Sequence, residues 1–125
     1  MTITEAIQKS AALTGAGGVV GTAEAVRRLS GYDGALARGF FRLDVWEPYD
    51  PQTDADTLLL VPQPWDGLYV HLLEALTYYA AGEYQRAENA RVMEARLLAE
   101  FKAWVMRRYA RPSPAVLAEI NAAAA

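Results

Sequence analysis

The sequence predicts an all-α fold: a four-helix core, an extended arm or loose hairpin between helices two and three, and a short C-terminal helix. Two observations carry this. Apolar residues recur at three- and four-residue steps in four separate stretches, as they do on helices with one buried face. Helix start and stop signals bound those stretches, and between residues 42 and 61 the periodicity is lost.

The first helix opens at Thr2-Ile3-Thr4-Glu5. This is a capping-box spacing, in which the threonine oxygen accepts a backbone N–H and the glutamate returns the bond. Ile3, Ile7 and Leu13 make its apolar stripe, and it stops near Thr14. Residues 15–21 form a glycine-rich hinge, because glycine relieves the bar on positive φ and weakens a helix. They do not form a nucleotide loop: the third glycine of that pattern falls on Val20, and no Gly-Lys-Ser/Thr follows. Thr22 is the expected N-cap of helix two, with Glu24 in a first turn where the helix dipole favours an acid. Its buried face reads Ala23, Val26, Leu29, Tyr32 or Asp33, Leu36 and Phe40, interrupted by Gly31 and Gly34. These two glycines serve either close contact with another element or nothing but a weaker helix, and both readings stay open.

In the arm, residues 42–61, Pro48 and Pro51 bracket Tyr49-Asp50, and Asp54 and Asp56 precede the aliphatic run Leu58-Leu59-Leu60-Val61. Pro64 is the expected first position of helix three, with Asp66 in its first turn, and Gly82 ends it. Leu68, Leu72, Ala75, Leu76 and Tyr79 share one face, while Tyr69, Leu73 and Ala80 widen it. Helix four runs from Glu83 to Tyr109 on a stripe of Ala90, Met93, Leu97, Phe101, Trp104 and Val105, and Arg111-Pro112 ends it. Ser113-Pro114 caps a short helix carrying Val116, Leu117 and Ile120. Residues 1–112 therefore read as one helical domain and 113–125 as a C-terminal extension.

Composition excludes several classes. With 125 residues, 53% of them hydrophobic, and a net charge of -3, the chain can bury a core and is not intrinsically disordered. The lack of cysteine removes disulfide scaffolds, zinc knuckles and thiol nucleophiles together. No apolar run approaches the roughly 20 residues of a membrane span, and no signal-peptide pattern opens the chain, so the expected product is soluble and unsecreted. The modest net charge conceals an asymmetry. Between residues 40 and 66 six acids stand against Arg42 alone, a net of -5, whereas residues 83–111 carry a net of +3. Such segments read as solvated faces or as complementary charge between neighbouring copies.

The search for chemistry returns little. His71 is the only histidine, so neither a His-x-x-x-His metal pair nor a histidine-activated nucleophile can be built within one copy. Asp50, Asp54 and Asp56 lack the spacing and the closing glutamate of a calcium loop. Tyr69, Tyr78, Tyr79, Tyr84, Trp104 and Tyr109 sit on apolar helical faces, and with a pI near 5.1 they argue for packing over sequence-specific nucleic-acid binding. No cofactor, metal or catalytic residue is expected.

Residues 58–89 read LLLVPQPWDGLYVHLLEALTYYAAGEYQRAEN. This resembles the Leu-Val-Pro-x-Pro-(aromatic)-Asp-x-Leu-Tyr segment, followed by Leu-Glu-Ala, Gly-Glu and Tyr-x-x-x-x-Asn, of small head-tail connector (adaptor) proteins of tailed bacteriophages and prophages. The opening residues 2–7, the segment Arg28-Leu29-Ser30-Gly31-Tyr32-Asp33-Gly34, and Met93, Phe101 and Arg107-Arg108-Tyr109 follow the same family in order, over residues 2–112. The glycine-rich hinge, Arg28 in place of an aromatic, Tyr32 in place of a leucine, and the tail beyond Pro112 depart from it.

The resemblance implies a virion structural protein, made in the host cytoplasm, with no active site. It implies a ring of about a dozen copies at the head-tail joint, extending the DNA channel beneath the portal and offering the tail a docking surface. Its partners are then itself, the portal, a tail-side completion protein and DNA that passes without sequence-specific binding. Asp33, Asp54, Asp56, Pro62, Pro64, Asp66, Tyr69, Glu74, Glu83 and Asn89 are its motif and interface residues. In this reading the 42–61 arm reaches a neighbouring subunit or the portal and orders on assembly, and most bases of helix four face away from the channel. Two other classes remain: a stand-alone helical regulator or scaffold for one protein partner, and a small enzyme whose site forms between subunits.

Overall fold

The computed structural model describes residues 1–15, 20–52 and 54–124, and its regular elements are helices. They are α1 (Ile3–Thr14), α2 (Thr22–Gly39), α3 (Gly67–Ala80), α4 (Tyr84–Tyr109) and α5 (Pro114–Ala124). Among the described residues β pairing is confined to a single antiparallel bridge between Thr2 and Leu58. Of the glycine-rich hinge, residues 16–19 lie outside the described residues.

Local signals account for most helix ends. Thr2 and Glu5 form the predicted capping box. Gly82 ends α3 in a left-handed conformation, φ +78°, which lets its N–H reach the Tyr79 carbonyl and the Glu83 N–H reach that of Tyr78. The Ser113 hydroxyl accepts the Val116 N–H at the start of α5. Two boundaries and one buried face differ from expectation. Gly21, not Thr22, occupies the N-cap of α2. Residues 62–65 form a turn closed by the Trp65 N–H on the Pro62 carbonyl, with a cis bond before Pro64, so α3 begins at Gly67 and Asp66 is its N-cap. On α4, Met93 is exposed and Ala87 is buried in its place.

α3 packs most extensively on α4, its antiparallel neighbour across a short link, and next on α1. The core joins Ile3 and Ala6 of α1, Val26, Leu29 and Leu36 of α2, Leu68, Tyr69 and Leu72 of α3, and Phe101 and Val105 of α4. Leu117 and Ile120 of α5 enter the same cluster, so the residues beyond 112 contribute to the core.

The segment between α2 and α3, residues 40–66, corrects one expectation. Its stems do not stand free of the bundle until assembly orders them but run back over it as a strap. Leu59, Leu60 and Val61 are buried, and Trp46 and Tyr49 pack against the core. Burial of an aliphatic run this apolar outweighs the cost of ordering the polar residues before it. The strap also completes α1. The first N–H groups of a helix have no partner within it. Here Ile3 donates to the Thr57 carbonyl at 3.2 Å, Thr4 to that of Ala55 at 3.1 Å, and Glu5 to the Thr2 hydroxyl at 3.2 Å.

The structure also separates the two glycines of α2. A Cβ on Gly34 would stand 2.8 Å from Cδ1 of Trp46, whereas one on Gly31 meets nothing within 4 Å. Gly34 is where the strap's indole presses on the helix backbone. Gly31→Ala is therefore expected to stabilise the protein by about 0.5–1 kcal/mol, and Gly34→Ala to destabilise it by about 1–2 kcal/mol. Thermal denaturation of the two variants checks this, and equal shifts of the same sign would refute it.

Candidate functional site

Asp33 is the most unusual residue in the molecule: a carboxylate with no solvent exposure on the buried face of α2. Its position follows from the sequence. Leu29, Asp33, Leu36 and Ala37 fall on one helical face, so the register that buries the aliphatic residues buries the acid too. A buried carboxylate has to be met by donors. One Asp33 oxygen accepts the Tyr69 hydroxyl of α3 at 2.5 Å; the other accepts the Tyr49 hydroxyl at 2.5 Å and the Leu60 N–H at 3.1 Å, both from the strap. Val61 in turn donates its N–H to the Tyr69 oxygen at 2.8 Å, and the Tyr49 N–H donates to the Ser30 hydroxyl at 3.0 Å. One carboxylate thus ties α2, α3 and both stems of the strap together.

Electrostatics keep these groups in their roles. Burial pushes the Asp33 carboxyl above its ordinary range, and the donors from Tyr49, Tyr69 and Leu60 offset part of that push. Burial, with the adjacent Asp33 charge, also raises both tyrosine hydroxyls, so they remain protonated donors at neutral pH. The residue before Asp33, Tyr32, donates to Glu94 of α4, and burial holds its hydroxyl proton as well. The Tyr32 ring meets that of Tyr69 edge-on at 6.0 Å, which joins this second contact to the node. Trp46 Nε1 is the buried side-chain polar atom without a hydrogen-bond partner among the described residues.

The predicted site residues separate into groups. Asp33 and Tyr69 meet directly, and the residues just before Pro62 join them through their backbone N–H groups. Pro62 and Pro64 belong to the turn that leads into α3, while the Asp66 carboxylate lies 3.4 Å from the amino terminus and makes no cap bond to its helix. Glu74 pairs with Nδ1 of His71 at 2.9 Å on α3, which leaves the only histidine occupied by a neighbour on its own helix. Glu83 pairs with Arg86, and Asn89 accepts from Gln85 on the exposed side of α4.

The acidic tip of the strap is divided. Asp54 is turned inward on its own loop, its carboxylate accepting the Asp50 N–H at 2.6 Å, so it shapes the tip. Asp56 is exposed. Among the described residues no group of three or more His, Asp or Glu is placed to hold a metal ion. No described helix is long and apolar enough to cross a membrane.

Tyr49, Ser30 and the two strap N–H groups were not legible as site residues. The one available signal was Asp33 itself, an acid in the apolar register of a helix, which demands donors without naming them. No family model, curated protein or solved structure matches this chain.

Outside the node, the surface carries apolar and aromatic groups beside arginines. At the α3–α4 turn Tyr79 and Tyr84 are more than half exposed, with ring centroids 5.1 Å apart. The Arg91 guanidinium lies 5.9 Å from the Tyr79 ring, and Val92 is exposed nearby on α4. Tyrosine and arginine are the residue types that protein interfaces favour.

Proposed function

We propose that this protein is a small head-tail connector of a tailed phage or prophage. In this reading about a dozen copies form a ring beneath the portal, extend the DNA channel and present a docking surface to the tail. The observation that carries the reading is the convergence at Asp33. The motif residues Asp33 and Tyr69, with Leu60 and Val61 of the Leu-Val-Pro segment, come from three separate stretches and meet in one hydrogen-bonded node. The same residues that carry the resemblance are thus the ones that hold the strap to the bundle, as expected of a signature that specifies a fold.

Two further features support it. Exposed apolar and aromatic groups at the α3–α4 turn offer lateral contact area. The acids of the strap and the bases of α4 are also displayed on separate parts of one chain, which suits contacts between unlike faces of neighbouring copies.

Native mass spectrometry and negative-stain imaging of the purified protein, alone and with a capsid portal, test the proposal. The expected result is rings of about a dozen copies, formed alone or on the portal. A tight dimer indifferent to the portal overturns it in favour of a regulator or scaffold bound to a single partner.

A further inference from the structure

Where α2 and α4 end, they meet the start of α5 around a concavity of about 730 Å³ lined by Phe40, Arg42, Met106, Arg111 and Ser113 among others. Its charge is of one sign. Arg42 and Arg111 line it, no carboxylate does, and neither arginine has an ion-pair partner among the described residues. Farther along α4, by contrast, Arg86 and Arg96 are held by Glu83 and Glu100.

The backbone on both sides of this socket is held in a conformation that side chains other than glycine rarely adopt. Arg42 has φ +62° and Ala110 has φ +63°. The Arg111 N–H reaches back to the Tyr109 carbonyl at 2.7 Å, closing a tight three-residue turn about Ala110. Strain of this kind persists where surrounding structure enforces it, and here it sets the two arginines on the rim. The N-terminus of α5, an eleven-residue helix, opens onto the same space through Ser113 and Pro114 and adds its partial positive charge. Phe40 and the half-exposed Met106 supply an apolar wall.

The complementary feature is on the same chain. On and beside its tip the strap exposes Glu47, Asp50 and Asp56, and none of them has an ion-pair partner among the described residues. This tip cannot enter the socket of its own chain. Tyr49 is tied to Ser30 and Asp33, and the Ala55 carbonyl accepts from Thr4, so both sides of the tip are pinned. Gly39, at the socket, lies about 14 Å farther along α2 from Ser30 at 1.5 Å per residue.

We propose that the Arg42–Arg111 socket receives the acidic strap tip of a second copy of this chain. Socket and tip are different surfaces, so the contact is head-to-tail and repeats from copy to copy until it closes into a ring. The inference rests on the ring reading above and assigns its lateral contact.

The absence of cysteine makes the test direct. Chains bearing Met106→Cys are mixed with chains bearing Gln52→Cys, an exposed tip position whose replacement leaves every acid in place, with and without portal. The expected product is a mixed disulfide between unlike chains. Its yield falls about tenfold when Arg42→Glu and Arg111→Glu are added to the first chain, and recovers when Glu47→Lys and Asp56→Lys are added to the second. Oligomers that assemble without the mixed disulfide, or with one indifferent to both reversals, overturn the socket and leave the ring standing. Loss of binding to a short DNA duplex on arginine reversal, with the disulfide unchanged, assigns the socket to phosphate and overturns the proposal. A chain that stays monomeric with and without portal overturns both readings.

Discussion

Asp33→Ala is expected to lower the unfolding temperature by about 10–15 °C, corresponding to about 3 kcal/mol for a domain of this size. The substitution leaves the hydroxyls of Tyr49 and Tyr69 and the Leu60 N–H without an acceptor in a region closed to solvent. Each such orphan costs about 1–3 kcal/mol, and relief from burying a charge returns part of the sum. Because the strap loses its anchor and the helices do not, limited proteolysis within residues 50–57 is expected to accelerate while far-UV ellipticity stays near that of the wild type. Unchanged thermal stability, or loss of helix and strap together, would show that the carboxylate does not act as the tie between them.

The same residue sets a pH dependence. Burial raises the Asp33 carboxyl above its ordinary value of 3.8, so the folded chain retains this proton to higher pH than the unfolded chain does. The stability linked to that proton is fully present below the unfolded value and is lost as pH rises through the folded one. The stability advantage of the wild type over Asp33→Asn is accordingly expected to shrink as pH rises above the ordinary value of 3.8. Denaturant titrations of the two proteins at several pH values measure it, and an advantage that grows over that range refutes the assignment.

Phe101→Ala is expected to cost about 3–5 kcal/mol, a large share of the roughly 5–15 kcal/mol that holds a domain of this size together. Phe101 is wholly buried on α4, with ring centroids 6.3 Å from Phe41, 5.6 Å from Trp65 and 6.2 Å from Trp104. It therefore joins the last helix of the main bundle to the first residues of the strap and to the turn before α3. Phe101→Leu, which keeps most of the volume, is expected to cost about 1.5 kcal/mol. Urea unfolding reads both as shifts in midpoint at constant slope. A loss below about 1 kcal/mol for the alanine variant would mean that this aromatic cluster is loosely packed.

The helices were legible because their determinants are local. Thr2 and Glu5 are three residues apart, Gly82 follows directly on the helix it ends, and Ser113 precedes the helix it caps. The strap was not legible. Its prolines and aspartates mark a segment without periodicity, and the donors that hold it come from groups that no short spacing relates. Pro64 shows the same limit at smaller scale: its preset φ suits a helix start, yet the turn on Pro62 carries the chain past it before α3 begins at Gly67. Gly31 and Gly34 look alike in the sequence and differ only in whether Trp46 lies against them.

What the sequence alone determined is the all-helical class, most helix ends and the placing of acids and bases on different segments, since apolar spacing, caps and charge are written within a few residues of where they act. The tertiary structure decided that Asp33 is a buried tie and that the strap lies folded back over the bundle. Its three donors stand 16, 27 and 36 residues away along the chain, so only the packing of α2, α3 and the strap brings them to one carboxylate. Arg42 and Arg111 likewise become one socket only where the ends of α2 and α4 meet the start of α5.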